Sequence, residues 1–202
     1  MRINAICSLI EPCGIFADVG CDHGMVAGYA SKICGKVIAA DVSEKAIALL
    51  KEKFADKPNV ICRVSDGFDL IPEPVDQAVI AGMGGRLIIK ILSRYARRPD
   101  LVIGAQHDVP AVRVWLTENG YKIIADRCVY DRGKYYDVIR AVAGESGPLT
   151  EIERTIGAFY KQKNPDLLRF LTESEEKING YKRTSGNDRR LALIKEALEW
   201  QR

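Results

Sequence analysis

Short apolar runs alternate with amphipathic stretches along the first two thirds of this chain. Runs at 15–19, 37–41, 60–64, 76–81 and 101–105 are rich in Val, Ile and Ala, and most are flanked by Gly, Asn, Ser or Asp. That is the pattern of buried strands. Between them apolar residues return every three or four positions. Ala46, Ile47, Leu50 and Phe54 follow a capping Ser43, and Leu87, Ile88, Ile91, Leu92 and Tyr95 follow a glycine cluster. Both spacings predict helices. Further helices are predicted over 2–10, ended by Pro12 and Gly14, over 24–33, stopped by Gly35, and from Pro110 to Asn119-Gly120. Runs 122–129 and 135–142 have no helix between them, so they form a hairpin about the turn 130–134. The whole predicts an α/β, doubly wound, Rossmann-like sheet, mostly parallel with an antiparallel C-terminal hairpin strand.

The pattern changes after Gly144-Glu145-Ser146-Gly147-Pro148. Strand signals stop, and apolar residues recur at helical spacing as Ile152, Ile156 and Phe159, then Leu167, Leu171 and Ile178, then Leu191, Ile194 and Leu198. The expected division is a Rossmann-like domain over 1–143 and a small helical hairpin or coiled coil over 148–202, too short to bury a core alone.

Composition narrows the function classes. The 202 residues suit one full domain and an appendage, and 47% hydrophobic content suits a packed protein. A net charge of +3 confines any nucleic-acid surface to local clusters. None of the six cysteines forms a C-x-x-C pair, which speaks against zinc and for buried thiols in a reducing cytosol. No leader and no apolar run approaching the ~20 residues of a membrane span is visible. The expectation is a cytoplasmic protein without metal or membrane, a monomer or weak homo-oligomer.

The chemistry gathers at two glycine clusters. Asp18-Val19-Gly20-Cys21-Asp22-His23-Gly24 is a strand end, a tight turn and a helix start, with Asp41 closing the next strand 21 residues after Gly20. Such a turn brings backbone against a nucleoside, and the later acid suits ribose hydroxyls. A dinucleotide would want a glycine where Asp22 stands, because a carboxylate there repels a pyrophosphate. The acids instead suit a cationic sulfonium with an α-amino group, so the turn matches S-adenosylmethionine better than a nicotinamide dinucleotide. Val42 follows Asp41 in the same wall. Asp66, in Ser65-Asp66-Gly67, could accept from an adenine amine, though an ordinary Asp-Gly turn would look alike. Ala81-Gly82-Met83-Gly84-Gly85 ends the fourth strand, beside the first turn, where a flat substrate could lie against backbone. The expected cofactor contacts are Asp18, Gly20, Cys21, Asp22, His23, Gly24, Asp41, Val42, Asp66, Gly67, Ala81, Gly82 and Met83. Asp22, Met83 and Gly84 are expected at the reacting methyl.

Four strings resemble the bacterial tRNA (adenine(22)-N1)-methyltransferases: Asp18-x-Gly20-x-Asp22-His23; Ile80-Ala81-Gly82-Met83-Gly84-Gly85; Val112-Arg113-x-Trp115-Leu116 with Asn119-Gly120; and Gly133-Lys134-x-Tyr136. The likeness runs over about residues 2–142, and the helical tail fits the family's layout. The chain departs from the family with Cys21 in place of serine, Gly24 in place of alanine, and Gln106-His107-Asp108 in place of Gln-Pro-Asn. The resemblance implies methyl transfer from S-adenosylmethionine to N1 of an adenine in tRNA. That nitrogen carries a free lone pair, so alignment matters more than a base. Asp22 is the candidate to stabilise the charge gained by the product base.

A folded RNA would be held by phosphate contacts and shape. The candidates are Arg2, Arg86 and His107 near the pocket, and Lys177, Lys182, Arg183, Arg189 and Arg190 about the tip of the helical hairpin. Other readings are a methyltransferase of the same fold acting on a small molecule or another RNA site, and a non-catalytic RNA-binding module.

Overall fold

The structure is a computed structural model that describes residues 2–181 and 184–202. Seven strands form one sheet: β1 (Ile15–Val19), β2 (Lys36–Asp41), β3 (Val60–Val64), β4 (Gln77–Ala81), β5 (Asp100–Gly104), β6 (Tyr121–Asp131) and β7 (Lys134–Ala143). Their order is β3-β2-β1-β4-β5-β7-β6. The first five are parallel, and β7 runs antiparallel to both β5 and β6. The predicted doubly wound sheet with an antiparallel hairpin is therefore present.

Burial explains the apolar runs. Phe16, Val37 and Ala39 point to one face and pack with Ile47, Leu50 and Phe54, whereas Ala17, Val19, Ile38 and Ala40 point to the other and pack with Ile88, Ile91, Val112 and Leu116. Helices α1 (Arg2–Cys7), α2 (Met25–Ala30) and α3 (Glu44–Lys53) cover the first face. Helices α4 (Gly85–Arg94) and α5 (Val109–Glu118) cover the second. A parallel sheet covered on both faces needs continuous rather than alternating hydrophobicity. The strand order reverses between β1 and β4, so the loops after these two strands diverge and leave a crevice at their carboxyl ends.

Three helices are shorter than their spacing predicts. α1 ends at Cys7 rather than 10, where the Leu9 and Ile10 N–H groups donate to the Ile6 and Cys7 carbonyls in tight turns. α2 ends at Ala30 rather than 33, because the Asn59 side-chain amide donates to the Ser31 and Cys34 carbonyls and turns the last residues into a tight loop. The first tail helix, α6 (Glu151–Thr155), stops before Phe159. There Gly157, at φ 150°, redirects the chain and the Ala158 N–H donates to Asp126 at 2.7 Å.

The tail continues as α7 (Pro165–Asn179) and α8 (Ser185–Gln201), which pack on each other. Their apolar faces do not close on themselves alone. Leu167, Leu171, Ile194 and Leu198 share a cluster with Cys128 of β6, and Tyr135 of β7 packs against it. Below the junction Arg113 is buried, 1% exposed at its side chain, and its guanidinium donates to Asp126 (2.7 and 3.0 Å), to Asp137 (3.0 Å) and to the Arg154 carbonyl (3.1 Å). One buried cation thus joins α5, both hairpin strands and the tail.

Candidate active site

A cavity of about 740 Å3 opens at the carboxyl ends of the parallel strands. Its floor is the Gly20 turn. Gly20, at φ 75°, and Cys21 both donate their N–H groups to the Ala40 carbonyl, at 2.8 and 3.0 Å. A Cβ on Gly20 would come within 2.6 Å of the Met83 methyl. The two glycine clusters therefore meet, with Met83 lying against the bare Gly20 backbone. Gly82, at φ 83°, has open space where a Cβ would stand. Glycine is required there by conformation, and the space stays free for a ligand.

The acids differ in exposure and in role. Asp18 is buried, accepts the Ala27 N–H at 2.8 Å, and borders the cavity. Burial, reinforced by the Asp41 charge, pushes its carboxyl up to about 7 although the Ala27 bond opposes the shift. Asp41 accepts the Ser43 N–H at 2.9 Å on one oxygen and the Asp22 N–H at 3.2 Å on the other. Each oxygen keeps a lone pair for a ribose hydroxyl. Asp22 adopts φ 45° and leaves its side chain 75% exposed, with His23 Nε2 3.7 Å from its carboxylate. Asp66 pairs with Arg94 at 3.0 Å, so its carboxylate is partly neutralised before any ligand arrives. The Cys21 thiol is pushed up by burial and then by the charges of Asp18 and Asp41. It is a packing group rather than a nucleophile.

Most sequence-predicted cofactor residues line this one cavity: Asp18, Gly20, Cys21, Asp22, His23, Asp41, Val42, Asp66, Gly67, Ala81, Gly82 and Met83. Gly24 stands behind the wall, where a Cβ would strike Leu50 and Phe54. Of the residues expected to meet RNA, Arg2 lines the cavity. Gly84, Arg86 and His107 form a neighbouring group on its flank. The His107 ring lies over Gly84, its Nδ1 is 2.8 Å from the Asp108 carboxylate, and Arg86 stands 3.7 Å from the same carboxylate. Lys177, Arg189 and Arg190 sit on α7 and α8, with Arg189 paired to Glu151. Lys182 and Arg183 lie outside the described residues.

Asn4, Gln106, Asp131 and Arg132 also line the cavity. Sequence reasoning missed them as a group because α1, the β5–α5 loop and the β6–β7 turn converge only in three dimensions. The local signals are Arg132 in a hairpin turn, just before Gly133, and Gln106 in the segment after β5 that departs from the family. Among the described residues no cluster of three or more His, Cys, Asp and Glu could hold a metal ion, and no helix is long and apolar enough to cross a membrane.

A family model described as a methyltransferase domain matches residues 1–139. A Mycoplasma pneumoniae candidate tRNA methyltransferase is 31% identical, the match covering 77% of this chain and 78% of that protein. The tRNA (adenine(22)-N(1))-methyltransferase of Bacillus subtilis is 26% identical over 98% of this chain and 93% of its own. This chain belongs to that methyltransferase family. Streptococcus pneumoniae Sp1610, solved with S-adenosyl-L-methionine, superposes on the methyltransferase with a TM-score of 0.88 at 25% identity, covering 98% of both chains. The likeness thus extends through the helical tail.

The methyltransferase cavity fits such a donor by its own chemistry. Its floor is the Gly20 turn, packed by Met83, with open backbone at Gly82; a buried acid stands at Asp18, and Asp41 offers a carboxylate at the end of β2. A sulfonium and an amine are attracted to that set, whereas a pyrophosphate would meet Asp22.

Proposed function

We propose that this S-adenosylmethionine-dependent methyltransferase modifies N1 of adenine 22 in tRNA. The observation that carries the reading is the division of a single cavity into two chemistries. Asp18, Asp22, Asp41 and Asp66 stand at the ends of β1, β2 and β3 and surround one part, and Arg2, Asn4, Gln106 and Arg132, with the one acid Asp131, come from α1, the end of β5 and the β6–β7 turn and border the other. The acidic part suits a cationic donor, and the part with amides and guanidiniums suits a nucleotide that brings its own phosphates. The full-length likeness to the Bacillus subtilis enzyme supports adenine 22 as the target. A tRNA substrate implies a cytoplasmic reaction.

The bound donor supplies an electrophilic methyl on sulfur. The chain's residues align the acceptor with it. Asp41 and Val42 would hold the nucleoside end, Gly82 leaves its backbone open to the ligand, and Met83 packs over Gly20. Adenine N1 needs no general base, so rate arises from in-line alignment and exclusion of water. The N1 edge is paired or stacked in folded RNA and must be turned out to enter the cavity. Asp22, in the acidic part, is our candidate to stabilise the positive charge that passes from sulfur to the base.

The test is methylation of an unmodified tRNA transcript with labelled donor, followed by digestion to nucleosides. The reading predicts 1-methyladenosine from a transcript with adenine at position 22 and none from one with guanine there. Label in another nucleoside, or only in a small molecule, would replace the proposal with a different acceptor.

A further inference from the structure

The hairpin between β6 and β7 closes through Asp131-Arg132-Gly133-Lys134, with Asp131 paired to Lys134. Both central residues are left-handed, Arg132 at φ 49° and Gly133 at φ 83°. This is the two-residue turn for which Asn-Gly is the favoured sequence. Arginine carries a Cβ penalty there that glycine avoids and asparagine offsets by local hydrogen bonding. The chain keeps an arginine at the less favourable place, and that arginine lines the cavity.

It does not stand alone. Arg2, from α1, lines the same part of the cavity, with its guanidinium 4.8 Å from the centre of the Tyr136 ring. The Asp131 carboxylate is hydrogen-bonded by the Arg2 backbone, which fastens α1 to the turn. Asn4, Gln106 and Asp131, whose carboxylate lies within electrostatic reach of Arg132, complete this rim, and the acids Asp18, Asp41 and Asp66 border the other part. A base turned out of its stack carries a phosphate on each side to the mouth of its pocket. Guanidinium groups recognise phosphate oxygens with paired hydrogen bonds.

We propose that Arg132, with Arg2 beside it, is the phosphate-holding pair that positions the target nucleotide, so that the β6–β7 turn forms part of the substrate site. This rests on the tRNA reading above. Arg132 is a positioning residue here, acting on the nucleotide's phosphate and not on the transferred methyl.

The test uses the full chain and an unmodified tRNA transcript. Arg132→Asn and Arg132→Gly both suit the left-handed backbone and remove the guanidinium, so either serves if the other expresses poorly. Both are expected to melt at or above the wild-type temperature and to bind S-adenosylhomocysteine within about twofold of wild type, because the acidic part of the cavity is untouched. Their Kd for tRNA should rise about 10-fold. The slope of log Kd against log salt should fall by about one, the signature of one lost phosphate contact. Arg132→Lys should recover part of the affinity. Wild-type tRNA affinity and salt slope in the Asn and Gly variants, beside an active parent, would overturn the phosphate assignment alone. Equal loss of S-adenosylhomocysteine binding would assign the turn to the cofactor part instead. A parent enzyme that methylates no tRNA would remove the reading beneath both.

Discussion

The backbone N–H of Asp22 donates to the Asp41 carboxylate at 3.2 Å, so the acid that ends β2 also shapes the turn that ends β1. One side chain organises the floor of the cavity and remains available to a ribose. In Asp41→Asn one of the two atoms now accepting the Ser43 and Asp22 N–H groups becomes a donor, and a donor facing a donor is lost as a bond. A ribose hydroxyl also loses its charged acceptor, and hydrogen bonds to charged groups contribute about 1.5–3 kcal/mol, so affinity for S-adenosylhomocysteine should fall roughly 10- to 150-fold. Titration calorimetry reads this directly. An unchanged Kd would mean that Asp41 serves only the backbone.

Asp18 predicts two pH dependences of opposite sign. Its folded carboxyl titrates at about 7, raised chiefly by burial from an ordinary value of 3.8. The folded state therefore holds a proton that the unfolded state has released between those values. This group's contribution to stability falls as pH rises through that window and is level above it. A cationic ligand favours the ionised form, so binding should tighten and release protons as pH rises through 7. Calorimetry in two buffers of different ionisation enthalpy would show the proton. Asp18→Asn keeps an acceptor for the Ala27 N–H and should abolish both effects.

Neighbouring glycines in the second cluster should respond differently to alanine. A Cβ at Gly84 would overlap the exposed His107 ring, whereas one at Gly85 meets the Asp108 and His107 carbonyl oxygens at 2.7 and 2.9 Å. A side chain can swing away and a packed backbone cannot. Gly85→Ala should cost about 1–3 kcal/mol, and Gly84→Ala less than about 1 kcal/mol, in urea unfolding. If the pose of His107 matters to turnover, Gly84→Ala and His107→Ala should be non-additive in tRNA methylation. Additive losses would separate the two residues.

The buried Arg113 cluster predicts a large loss. Arg113→Met leaves the Asp126 carboxylate, 1% exposed, with no cation, and removes the donor to the Arg154 carbonyl. Breaking a buried pair from one side costs about 3–5 kcal/mol. The tail should also loosen first, with protease cleavage near Gly157 preceding global unfolding. A variant as stable as the parent would show that the tail is held by its apolar cluster alone.

The sheet is legible in the sequence because its determinants are local. Val and Ile runs such as 77–81 announce buried strands, and Asp41 stands a fixed chain distance beyond Gly20 in any βαβ unit. What escapes is set by long-range convergence. Arg113 lies on a helix whose spacing marks Val112 and Leu116 as core, and its two carboxylate partners come from strands 13 and 24 residues away. Arg132 reaches the cavity only because β7 inserts antiparallel beside β5 and brings the turn back over the crevice. Gly84 reads in sequence as part of a ligand platform, but its nearest neighbour is His107, a contact that local spacing does not encode. The tail's spacing reveals its helices but not its support, since Cys128 and Tyr135 supply apolar contacts from the sheet.

A crystal structure with S-adenosylhomocysteine bound tests the central claim most directly. The adenosine should lie between Asp41-Val42 and Asp66-Gly67, with the ribose hydroxyls on Asp41 and the amino-acid end over the Gly20 turn. A ligand seated elsewhere, or one that reaches this cavity without touching Asp41, would contradict the account.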